Sequence, residues 1–271
     1  MSGYRISSAA VAVCCGVLGC VMPLATAWAQ PANKKVTAAP ARLPRENLLL
    51  YRGQDDTLQQ VQNIDDWLRR RAEIVQGMQQ IMGKLPGDEK RCPLDVKVEQ
   101  EVDCGSYVRR HITYASEPGS RVPAFLLLPK AVLNAKEGTP AAKAPAALCL
   151  HPTNNEIGAG VVVGLGGRPN RQYASELAER GFITLAPNYP HLAQYRPDLD
   201  GLGWESGTLK AVWDNIRGLD LLDSLPQVRH GRYGVIGHSL GGHNAIYTAV
   251  FEPRLVAVVS SCGLDSFLDY Y

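Results

Sequence analysis

Residues 234–243 read GVIGHSLGGH. Ser239 stands between Gly237 and Gly241, after the apolar run RYGVIG (232–237) and before the helical run GGHNAIYTAVF (241–251). This is G-x-S-x-G in the setting that gives it meaning, a strand before it and a helix after. The glycines meet a steric demand. A serine on so tight a turn is held in a strained backbone conformation, and a Cβ two residues to either side would strike the adjoining strand or helix. The turn lifts Oγ clear of the sheet and sets it at a helix N-terminus, where backbone N–H groups can stabilise a developing oxyanion. Ser239 is therefore read as a nucleophile rather than as a structural turn serine.

A second oxyanion donor is expected on the loop after an earlier strand, and LCLHPTNNE (148–156) is in that place. One donor is the N–H of Leu240. Pro152 has none to offer, so Thr153 is the expected second donor and Asn154 the next candidate. His151 is read as ordering this loop at the binding site, not as the base.

The rest of the chain alternates strands and helices. YVRRHITYAS (107–116) and RVPAFLLLP (121–129), joined by the turn EPGS, predict a hairpin. AALCLHP (146–152) is a continuous apolar run of buried parallel-strand type. NRQYASELAERGF (170–182) predicts a helix, FITLAPNYP (182–190) a strand, GTLKAVWDNIRGLDLLDSL (207–225) a helix, and RLVAVVSSCG (254–263) a further strand. The class is α/β: a mostly parallel sheet with an antiparallel start and helices on both faces. Ahead of it, apolar residues at three- and four-residue spacings from Leu58 to Ile81 predict a helix from Asp55 to Gly83. The expected organisation is a leader (1–29), a flexible Pro/Ala-rich lead-in (30–53), an N-terminal helical segment (54–90) and an incomplete α/β domain (91–271).

The leader has one early charge, Arg5, an apolar stretch, and small residues at Ala27 and Ala29 as a cleavage site. It predicts a secreted or periplasmic protein without a stable membrane anchor; a lipid anchor through Cys20 is the lesser reading. Without the leader, 27 bases face 26 acids, a balance that offers no field to nucleic acid or to an anionic membrane. Of the seven cysteines four remain. Cys92 and Cys104, flanking a short polar stretch, are the pair that reads as a bridge, while Cys149 and Cys262 read as buried thiols. No metal-ligand spacing and no cofactor motif is present. GAGVVVGLGG (158–167) lacks the spacing of a phosphate cradle and reads as a mobile loop beside the site. In the long stretch 188–207, Tyr189, Tyr195 and Trp204 either line a cleft, with Tyr189 a candidate binding residue, or pin the loop.

Together these segments resemble the α/β-hydrolase fold, and more narrowly its dienelactone-hydrolase-like and acetyl xylan esterase-like branch, from about residue 95 onward. The resemblance implies hydrolysis of carboxylic esters on a small-molecule or carbohydrate substrate, through an acyl-serine and without a metal. In such proteins the acid and the base follow the serine. Here none of the six histidines follows His243. His238 and His243 lie beside Ser239 in sequence but are expected to point elsewhere. Asp265, after the next strand, is the candidate acid. The chain thus reads as the N-terminal part of a serine esterase, short of two strand–helix units of roughly thirty residues each. A non-catalytic remnant or binding module is the competing reading, and a peptidase of the same fold a weaker one.

Overall fold

The computed structural model describes residues 43–44 and 46–264. The leader, most of the lead-in and Asp265 lie outside the described residues. From Pro44 onward the described chain belongs to one compact unit. In chain order it forms β1 (Leu50–Arg52), β2 (Leu58–Gln60), α1 (Ile64–Met82), β3 (Lys97–Asp103), β4 (Tyr107–Glu117), β5 (Ser120–Pro129), α2 (Lys130–Leu133), β6 (Ala144–Leu150), α3 (Tyr173–Glu179), β7 (Ile183–Pro187), α4 (Gly207–Ser224), β8 (Val228–His238), α5 (Leu240–Phe251) and β9 (Leu255–Ser261).

Seven strands make the main sheet, in the order β3-β4-β5-β7-β6-β8-β9. The first four are joined by antiparallel pairing, and β7-β6-β8-β9 by parallel pairing. Alternation along β6 shows why helices cover both faces. Leu148 and Leu150 join a core cluster with Leu219 and Leu222 of α4, whereas Cys149 joins a second cluster with Ala174 and Ala178 of α3. Successive residues of a strand point to opposite faces, so a run apolar at every position serves two cores at once. β6 and β8 are direct neighbours, with Leu150 opposite Gly237.

Two local expectations are corrected. The first helix begins at Ile64, not Asp55. Asn63 caps it, its side chain accepting the Asp66 N–H at 3.0 Å, and Leu58–Gln60 pairs with Leu50–Arg52 in a small hairpin instead. The periodic leucine at 58 is strand, and it is half exposed. β3, with the sequence KVEQEVD, is a strand that apolar alternation did not announce. It is a sheet edge, and Glu101 pairs across it with Arg110 at 2.7 Å. Charge on an edge strand discourages pairing with other chains.

All four described cysteines are free. The expected Cys92–Cys104 bridge is absent. Cys104 packs among the α3-side core residues, while Cys92 presents its carbonyl to Arg217 of α4. Cys149 is buried as expected, but Cys262, just after the end of β9, is exposed.

The least ordinary part of the core is ionic. Lys210 of α4 is fully buried and sits against the equally buried Asp214 and Glu117. Its Nζ also donates to Ser116 Oγ at 2.9 Å. The carboxylates are satisfied from other directions: Trp204 Nε1 and Lys90 Nζ donate to Glu117, each at 2.7 Å, and the Tyr195 hydroxyl donates to Asp214 at 2.8 Å. Tyr195 and Trp204 thus pin the long loop to the core. Among the described residues, no helix is long and apolar enough to cross a membrane.

Candidate active site

Ser239 joins β8 to α5 with φ 55° and ψ −120°. For a residue with a Cβ this conformation costs about 1–3 kcal/mol, and the surroundings enforce it. The Ser239 N–H donates to the Ser261 carbonyl at 2.8 Å, and the His243 N–H donates to the Ser239 carbonyl at 2.9 Å. The flanking glycines allow the approach. A Cβ on Gly237 would lie inside the carbonyl group of Gly241, and one on Gly241 would lie inside that of Leu150. A Cβ on Gly242 would meet Ser260 Oγ at 2.9 Å. Helix α5 therefore starts pressed against the ends of β6 and β9. The side chain of Ser239 is exposed and makes no capping bond, which leaves Oγ free. The N–H of Leu240, first in α5, has no acceptor within its helix.

Ser239 opens into a cleft of about 380 Å³. Its walls are Pro152, Thr153 and Asn154 from the loop after β6, Val161 and Gly167 with Arg168 and Arg171 from the next segment, and His238 from the elbow. Ser239 and Thr153 thus line one cavity. Asn154 accepts the N–H groups of Glu156 (3.0 Å) and Ile157 (2.8 Å) through Oδ1, so its carbonyl oxygen shapes the loop. Tyr173 ties the two sides together, its hydroxyl donating to the Leu150 carbonyl and receiving the backbone N–H of His238.

His151 borders the elbow from below. It is 2% exposed. Nε2 accepts the Tyr189 N–H at 3.0 Å and Nδ1 contacts the Pro152 carbonyl at 2.8 Å. Those partners require the neutral ring protonated on Nδ1, with neither nitrogen left for substrate. Tyr189 bonds Thr208 at 2.8 Å through its hydroxyl. It lines a small separate cavity with His151, Asn215 and Asn244 rather than the cleft at Ser239.

Burial pushes the His151 pKa down from 6.5 to about 4. The unfolded chain therefore binds this proton first, so the stability from His151 is complete above pH 6.5 and is lost as pH falls toward 4. The span corresponds to about 3 kcal/mol. Thermal melts between pH 7 and pH 4.5 are expected to show a falling midpoint, with a shallower slope in His151→Gln. His243, also held low by burial, adds a smaller part in the same direction. An unchanged slope in the variant would remove this account.

Among the described residues, no histidine ring nitrogen is hydrogen-bonded to Ser239 Oγ. His151 is engaged at both nitrogens. His238 borders the cleft, contrary to the expectation that it points elsewhere, but its Nδ1 is on Ser261 Oγ at 3.0 Å. His243 stacks on Tyr247 with ring centroids 4.1 Å apart. His111 lies on β4 against Phe125, His191 in the loop after β7, and His230 at the far end of β8. Among the described residues, no group of three or more His, Cys, Asp or Glu side chains could hold a metal ion. Arg168 and Arg171 were not singled out from the sequence. Their spacing from the elbow carries no motif, and only folding brings segment 164–171 over Ser239.

A strained serine between an antiparallel-started parallel sheet and a helix, facing a donor loop on the neighbouring strand, decides the fold. It is an α/β-hydrolase fold. Solved α/β-hydrolase structures superimpose accordingly. One is a putative acetyl xylan esterase from Bacteroides fragilis, with TM-score 0.57 and 16% identity over 72% of this chain and 53% of that one. Another is a glucuronoyl esterase from Solibacter usitatus, with TM-score 0.56 and 18% identity over 82% and 64%. This chain thus spans between half and two thirds of the length of those proteins. In sequence, a 53-residue stretch is 47% identical to the 2,6-dihydropseudooxynicotine hydrolase of Paenarthrobacter nicotinovorans, covering 20% of this chain and 14% of that one. No family model matches.

Proposed function

We propose that the protein is a carboxylic-ester hydrolase working through an acyl-serine, of the dienelactone-hydrolase-like and acetyl xylan esterase-like kind. One observation carries the reading: Ser239 is forced to positive φ with its Oγ free, beside a cavity it shares with Thr153. Oγ attacks the ester carbonyl and gives up its proton to a base. The carbonyl oxygen, now anionic, is held by the N–H groups of Leu240 and Thr153. Collapse expels the alcohol, which takes a proton, and water then releases the acid from the serine. The hydrolase and esterase names among the similar proteins support this direction. Export through the leader is part of the same proposal, as is Asp265 as the acid.

The competing reading, a non-catalytic relative, is favoured by one observation: among the described residues no histidine is hydrogen-bonded to Ser239. A fluorophosphonate, which phosphonylates an activated serine irreversibly, separates the two. Mass spectrometry of the treated 271-residue chain, with and without added imidazole, is expected to find the adduct on the peptide containing Ser239. No adduct under either condition would sink the hydrolase reading.

A further inference from the structure

The elbow is fixed from two sides, and the two fixings differ in kind. Toward β9 the hold is backbone alone. The Ser239 N–H donates to the Ser261 carbonyl at 2.8 Å, just past the His238–Ser261 pair that ends that ladder. Toward β6 the ladder ends one residue earlier, with Leu150 opposite Gly237. Here the Tyr173 hydroxyl enters from α3. It donates to the Leu150 carbonyl and receives the N–H of His238, the residue before the nucleophile. One side-chain oxygen thus touches both strands where they begin to part.

That oxygen is itself held by the core. Tyr173 packs against the cluster that contains Cys149, Ala159 and Val162. Its neighbour Ala174 is fully buried, and the Ala174 carbonyl accepts the Thr184 hydroxyl of β7 at 3.2 Å. Burial pushes the phenol above its ordinary pKa, so the hydroxyl keeps the proton that it donates to Leu150. A hydroxyl that donates and accepts at once gains from cooperativity between its two bonds. The joint has no slack, since α5 already starts so close to β6 that a Cβ on Gly241 would lie inside the Leu150 carbonyl.

We propose that Tyr173 is a positioning residue, its hydroxyl setting the gap between the loop that carries Thr153 and the elbow that carries Ser239 and Leu240. Thr153 lies three residues past Leu150, and Leu240 two past His238. Both oxyanion donors of the hydrolase reading therefore hang from the groups that Tyr173 joins. The assignment rests on that reading for the purpose of the gap. Tyr173 acts on the reaction only through these two backbones. Donors serve an oxyanion at about 2.7–3.1 Å, a narrower tolerance than folding demands.

Fluorophosphonate labelling with added imidazole, followed against reagent concentration, separates apparent affinity from the limiting rate. In Tyr173→Phe the limiting rate is expected to fall about tenfold, because small misplacements around reacting atoms are costly. The apparent affinity should stay as it is, the signature of an interaction that matters only in the transition state. Tyr195→Phe is the control. Its hydroxyl serves Asp214 in the ionic cluster, so this variant should melt at a lower temperature yet label like the parent. An undiminished rate in Tyr173→Phe, a loss confined to affinity, or an equal loss in Tyr195→Phe would overturn the assignment. Hydrogen exchange of the parent chain needs no variant. The His238 amide is expected to be as protected as that of Ile236, which lies within the β6–β8 ladder, and fast exchange at His238 would remove the tie itself. If the parent takes no label, the hydrolase reading falls and takes the assignment with it; if the parent labels and Tyr173→Phe keeps pace, the assignment alone falls.

Discussion

Imidazole is expected to raise the rate of fluorophosphonate labelling at Ser239 by about 100-fold, the lower end of what a positioned general base contributes. In Ser239→Ala it should produce no adduct at this site. The reasoning is that nucleophile and base act as a unit. The strained turn, the free Oγ and the N–H groups of Leu240 and Thr153 are the parts of the proposed site that a diffusible base reaching the cleft can put to use. The cleft beside Ser239 has a volume of about 380 Å³, ample for a molecule of imidazole's size. Labelling that is insensitive to imidazole would mean that the proton leaves by another route. Labelling that persists in Ser239→Ala would mean that the nucleophile has been misplaced.

The largest effect on stability is expected at Lys210. Lys210→Met removes the cation between Asp214 and Glu117 while keeping most of the aliphatic stem. It leaves two buried carboxylates facing each other, and breaking a buried ion pair in this way costs about 3–5 kcal/mol. Burial already pushes the Asp214 carboxyl up, against the pull of Lys210, so without the lysine a proton should be taken up. Urea unfolding is expected to lose a large part of the native free energy at pH 7 and less at pH 5, where protonation relieves the repulsion. A variant as stable as the parent at pH 7 would show that the ionic cluster is not coupled to folding. Tyr195 and Trp204, held by the same carboxylates, should become more mobile in the variant, with quenching of Trp204 by acrylamide as the readout.

How much of this was legible beforehand depends on where each signal sits. β6, β8 and the elbow announce themselves because their constraints are local: an apolar run at every position, and glycines wherever a Cβ would strike a carbonyl. The helix starting at Ile64 was overextended because Leu58 keeps helical spacing by coincidence while pairing in a hairpin. β3 was missed because an edge strand with alternating charge has no buried face to advertise. The parallel with the site is close. The strained turn at Ser239, Leu240 at the helix start and the place of Thr153 on the cleft wall follow from backbone geometry written into short motifs. Arg168 and Arg171 reach the cleft only through the tether of Tyr173 to Leu150 and the packing of Gly167 on Val161, contacts between residues with no fixed spacing. Lys210 falls within a run read simply as a helix, since nothing in a single helix reveals that its partners Glu117 and Ser116 lie on a distant strand.

Thr153 and Leu240, the proposed oxyanion donors, follow the ends of adjacent parallel strands, β6 and β8, paired so that Leu150 stands opposite Gly237. Neighbouring strands in any sheet are about 4.8 Å apart, and that constant acts as a ruler laid across the catalytic centre. Evolution cannot lengthen it by trading surface residues. The spacing of serine and proposed donors is thus a property of the sheet, whereas the wall contributed by Gly167, Arg168 and Arg171 belongs to a connecting segment that can change its length and side chains without disturbing that spacing.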